Sequence, residues 1–97
     1  MTADAAGTDA ARLSIWVQGH VQGVGFRWWV RERATTSGLR GLASNLPDGS
    51  VEIVLEGSRT DCVALLAQIQ GGGTPGRVAS VTSRWGSPSG LTSFTLS

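Results

Sequence analysis

Ninety-seven residues suffice for one domain with one modest core, and an apolar content of 40% with four tryptophans argues against a disordered chain. The net charge is only +1 and all eight basic residues are arginine, so the chain has no strong field for a polyanion or a membrane surface, and no lysine for a Schiff base or a P-loop. The single cysteine, Cys62, excludes an intrachain disulfide and a multi-cysteine metal site; with no bilayer-length apolar run and no signal-peptide pattern, a cytoplasmic protein is expected.

Residues 1–11 are Ala, Gly, Thr and Asp with no apolar period, and are expected to form a disordered tail before a domain spanning residues 12–97. Leu13, Ile15 and Val17 then alternate with Ser14, Trp16 and Gln18, the pattern of a half-buried strand. Gly19-His20-Val21-Gln22-Gly23-Val24-Gly25-Phe26-Arg27 comes next, with three glycines in seven residues, and leads into a helical period of Phe26, Val30 and Ala34. Gly38 is the expected left-handed stop of that helix. Residues 39–45 read as a weaker strand, Leu46-Pro47-Asp48-Gly49 as a hairpin turn, and Val51, Ile53 and Leu55 as the return strand. Ser58-Arg59-Thr60-Asp61 is a capping box, and Cys62, Leu65, Leu66 and Ile69 give the second helix one apolar face. Gly71-Gly72-Gly73 ends it. Residues 78–85 and 93–97 are expected strands, joined by a turn over residues 86–90.

This order, βαββαβ with one short extra strand, predicts an α+β sandwich with two helices on one face of a largely antiparallel sheet. A split βαβ unit makes the first two strands parallel, with the return strand of the hairpin able to lie between them. The glycine loop with Arg27 and the residue Asn45 are then brought to the same end of the sheet. A glycine turn opening a helix aims unpaired N–H groups and the positive end of a dipole at one place, which suits an anion, and Arg27 adds a planar cationic fork. The same turn also serves as a mere tight connection, and it matches neither the P-loop nor the dinucleotide spacing.

Other residues compete for roles. His20, the one histidine, sits in a loop with no sequence-adjacent carboxylate and reads as dispensable beyond its backbone. Trp28 and Trp29 read as one core and one surface indole in preference to a stacking platform; Cys62 reads as inert core. Asp48 and Glu52 read as turn former and solvated strand position. Gln22 either bridges the loop to something else or caps it.

The two segments Gly19 to Arg27 and Gly41-Leu42-Ala43-Ser44-Asn45-Leu46-Pro47-Asp48-Gly49-Ser50-Val51-Glu52 resemble the acylphosphatase family, and the resemblance runs from about Leu13 to the end of the chain, including the final Phe-x-Leu strand. It implies a ferredoxin-like fold and hydrolysis of a carboxyl–phosphate anhydride to carboxylate and inorganic phosphate, with no metal and no cofactor. It further implies that Arg27 binds the phosphoryl group, that Asn45 positions the attacking water, and that the amides of Gly19, His20, Val21, Gln22, Gly23, Val24 and Gly25 form the cradle. A small-molecule acyl phosphate is then the substrate and inorganic phosphate both product and competitive inhibitor, for a monomer engaging neither nucleic acid nor membrane. The chain departs from the family at Gly41-Leu42-Ala43, where Gly-Trp-Val is usual, and at Leu46, where a hydroxyl residue is common. Two other readings compete. An RNA-binding or non-catalytic module shares the element order, but here the aromatic motif precedes the first helix. A carbamoyl-phosphate-handling domain would be expected to continue into zinc-binding repeats.

Overall fold

The computed structural model describes residues 10–97. Its elements run β1 (Ala10–His20), α1 (Phe26–Thr36), β2 (Arg40–Asn45), β3 (Val51–Ser58), α2 (Arg59–Gln70), β4 (Arg77–Gly86) and β5 (Phe94–Leu96). The five strands form one sheet in the order β4-β1-β3-β2-β5. Three of its pairings are antiparallel, and β5 lies parallel to β2. The expected ferredoxin-like α+β arrangement is observed, including β3 between β1 and β2. One boundary differs. β1 begins at Ala10, so the tail expected over residues 1–11 loses Ala10 and Ala11 to the sheet; the rest of it lies outside the described residues. Ala11 is buried, and a small side chain carries too little apolar signal to mark a strand start.

Strand alternation sends Leu13, Ile15 and Val17 of β1 to the face shared with Leu55, Ile53 and Val51 of β3, their cross-strand partners. All six are fully buried beneath Phe26, Val30 and Ala34 of α1 and Cys62, Leu65 and Ile69 of α2. Each large side chain contributes roughly 1.5–3 kcal/mol by leaving water. The helix ends obey their sequence signals. Leu39 N–H bonds to Ala34 O (2.8 Å) and Gly38 N–H to Thr35 O (3.0 Å), the paired bonds of a Schellman stop. Ser58 Oγ accepts from Asp61 N–H at 3.0 Å and starts α2.

On the opposite face of the sheet the dominant feature is a buried acid. Glu56 is 2% exposed and accepts hydrogen bonds from Arg12 Nη1 (2.6 Å), Ser89 N–H (2.7 Å), Ser89 Oγ (3.0 Å), Gly90 N–H (3.0 Å) and Leu91 N–H (2.9 Å). It thereby ties down the connection that carries the chain from β4, at one sheet edge, to β5 at the other. Each tryptophan is covered by an arginine: Arg84 over Trp16, Arg31 over Trp28, Arg33 over Trp29 and Arg59 over Trp85.

Candidate functional site

Because β1 and β2 are both antiparallel to β3, they are parallel to each other and their C-terminal ends, His20 and Asn45, finish at the same end of the sheet. Two devices govern how the chain leaves β1 and enters α1. The first is a register shift against β4 at Gln18/Gly19, which carries the strand on through Gly19 and His20, opposite Val78 and Arg77. Only glycine fits there, since a Cβ on Gly19 (φ +138°) would run into the Arg77 carbonyl and the Ala79 amide. Gly19 and His20 are therefore ladder residues, and the loop proper spans residues 21–25.

The second device is the loop's own anchoring. Buried Val21 fastens it to the core, while Gly25 caps α1 at φ +85° with no side-chain partner. A Cβ on Gly25 would meet nothing within 4 Å, so glycine is set there by the backbone conformation and not by crowding. The first helical bond runs from Trp29 N–H to Gly25 O at 3.0 Å. Ahead of it, no acceptor among the described residues takes up the N–H groups of residues 21–28. Open amides, a helix N-terminus and a sequence with no carboxylate from 19 to 27 make this loop suited to an anion.

Arg27 lies in the first turn of α1, and its Nη1 donates to the main-chain oxygen of Ser97 at 2.5 Å. The same oxygen accepts Asn45 N–H at 3.0 Å, and Ser97 N–H returns to Ala43 O at 2.9 Å. The Arg27 guanidinium and the Asn45 main-chain N–H thus share one acceptor. The other guanidinium N–H groups of Arg27 take no acceptor among the described residues. Asn45 is exposed at the end of β2, and its side chain makes no hydrogen bond among the described residues. Nothing in the sequence points to Ser97. The Phe94/Leu96 alternation announces a strand, but not that β2 is its neighbour.

Gln22 resolves toward bridging. Its Nε2 donates to Leu46 O (2.8 Å) and Ser50 O (2.9 Å), linking the loop to the β2–β3 hairpin. Asp48 is the turn former expected: Oδ1 accepts from Ser50 N–H and Oγ, and these bonds, the side-chain one foremost, hold its carboxyl below the usual carboxylate range. Glu52 is a half-buried β3 position between Trp16 and Ser44. His20 is exposed. Trp29 stacks on Phe26 against the core, whereas Trp28 is 54% exposed; Cys62 is core. A cleft lined by Arg31, Thr35, Leu39, Arg40 and Phe94 lies at the other end of β2 and β5, and none of the loop residues reaches it. Among the described residues, no group of three or more His, Cys, Asp or Glu is placed to hold a metal, and no helix is long and apolar enough to cross a membrane.

The acylphosphatase family profile matches residues 13–96. An acylphosphatase from Thermobifida fusca is 60% identical over 77 residues, covering 79% of this chain and 85% of that protein. One from Mycolicibacterium smegmatis is 54% identical over 88 residues, covering 91% and 90%. Among solved structures, an acylphosphatase from Coxiella burnetii superposes over the whole of both chains with a TM-score of 0.87 at 28% identity.

Proposed function

This chain belongs to the acylphosphatase family, and we propose that it hydrolyses acyl phosphates with Arg27 and the loop amides holding the phosphoryl group and Asn45 positioning the water. In this reaction the P–O bond to the acyl group breaks as the water oxygen bonds to phosphorus, and one proton of the water passes to a phosphoryl oxygen of the substrate. The leaving carboxylate is a stable anion and departs without a proton. The demand on the protein is therefore to stabilise charge on the phosphoryl oxygens and to hold the water in line, both of which act through position. Amides and a guanidinium meet the first demand. The Asn45 carbonyl, which has no useful basicity, meets the second by accepting one hydrogen of the water.

The observation that carries the reading is that the Arg27 guanidinium and the Asn45 main-chain N–H share the Ser97 main-chain oxygen, which brings the two residues together next to the open amides of residues 21–28. The same reading has the protein act as a monomer in the cytoplasm on a small molecule, with inorganic phosphate as product and competitive inhibitor and with neither nucleic acid nor membrane involved. The test is phosphate release from a small aryl acyl phosphate in excess chelator. Turnover that survives the chelator and is inhibited competitively by phosphate is expected. Absence of turnover above the spontaneous rate overturns the function; loss in chelator with recovery on adding Mg²⁺ or Zn²⁺ overturns the mechanism.

A further inference from the structure

The geometry points to the side chain of Gln22 as a positioning residue that sets the distance between the phosphoryl-holding loop and the water-holding asparagine. This inference rests on the function proposed above. Gln22 sits near the middle of the loop, between buried Val21 and the left-handed Gly23. Its carboxamide leaves the loop entirely and donates through one nitrogen to the carbonyls of Leu46 and Ser50. Leu46 is the residue after Asn45, and its N–H bonds to Ser50 O at 2.8 Å, so both carbonyls belong to the closing rung of the β2–β3 hairpin. Asn45 is the last residue of β2 before that rung.

Two halves of the site therefore come from separate segments, related besides by the sheet and by the shared contact of Arg27 and Asn45 with Ser97. The loop extends from β1 and the asparagine ends β2, and β3 lies between these strands. The Gln22 strut spans that gap at the end of the sheet where the loop and Asn45 lie. A primary amide is suited to the task because its nitrogen offers two hydrogens to two carbonyls, and it carries no charge to compete with the phosphoryl group. Catalysis that depends on in-line geometry is sensitive to such a strut, since a misplacement of about 1 Å can cost on the order of 10²-fold.

The test is Gln22→Met, which keeps length and shape and removes both donors, assayed far below its melting temperature together with wild type and Gln22→Ala. For Gln22→Met we expect kcat to fall by roughly 10- to 100-fold while the phosphate inhibition constant stays within about threefold, because the loop amides and Arg27 remain in place. A purely structural strut would lower the melting temperature and leave kcat intact, and that result overturns the inference. So does a parallel loss of kcat and phosphate affinity, which would mean that Gln22 shapes the cradle itself. Gln22→Ala decides in the same terms if the methionine variant does not fold. Wild-type turnover in the same assay keeps this outcome separate from failure of the function.

Discussion

Replacing Glu56 by glutamine tests the strongest electrostatic feature of the fold. Burial, the largest single influence, pushes its carboxyl up; the backbone amides of Ser89 and Leu91, the Arg12 guanidinium and the Ser89 hydroxyl together outweigh it. The net result is a carboxyl lowered from an ordinary 4.5 to about 2. Linkage converts that depression into about 3 kcal/mol of folding stability. Since the folded-state value is the lower one, this stability is fully present above pH 4.5 and is lost as pH falls from there through about 2. In Glu56→Gln the carboxamide would not titrate, and its NH₂ would face donors on one side. At pH 7 the variant should be less stable by about 3 kcal/mol or somewhat more, a melting-temperature loss of roughly 12–24 °C for a domain of this size. The assay is chemical or thermal unfolding of both proteins from pH 7 to pH 2. Subtracting the variant removes the titration of the other acids, which both proteins share. The difference should shrink across the window from 4.5 to about 2. A difference that stays constant across that window, or one below about 1 kcal/mol at pH 7, would refute the reasoning.

Arg27→Ala should damage phosphate binding and turnover together, and Arg27→Lys should remain poor because an ammonium lacks the bidentate fork. Asn45→Ala should lower kcat by roughly 10²–10³ with the phosphate inhibition constant near wild type; normal turnover, or phosphate binding as weak as in Arg27→Ala, breaks the proposed division of labour. His20→Ala should fold and keep most of its activity. A loss of about a hundredfold or more with the fold intact, the scale of a missing general base, would show otherwise.

The legible part of this molecule is the part governed by neighbours in sequence. Alternation at Leu13, Ile15 and Val17, the Ser58 cap, the stop after α1 and the Asp48-Gly49 turn each depend on a few adjacent residues, and each stands where expected. The unforeseen features depend on distant partners. Gly19 and His20 look like loop because glycine breaks a strand pattern, yet β4 holds both in the ladder. Three residues of β5 carry no mark of pairing parallel to β2. Glu56 continues an alternating strand like any solvated acid, and its donors come from Arg12, 44 positions earlier, and from residues 33 to 35 positions later. For the proposed site, Arg27 stands out by type at the start of a helix, whereas the role proposed for Asn45 comes from the family resemblance. That Gln22 spans from loop to hairpin is not legible, because a glutamine reaches equally well to its own loop.

A loop of main-chain amides crossed by a guanidinium has a consequence for the protein's own durability. Acyl phosphates are acylating agents, and amines and thiolates are what they modify. The chain has no lysine, and its one thiol, Cys62, is sealed in the core. In the proposed site the anion-holding groups are amide N–H and a guanidinium that stays protonated, so none of them has a lone pair to offer the electrophile. On that proposal, turnover does not consume the groups that hold the phosphoryl moiety.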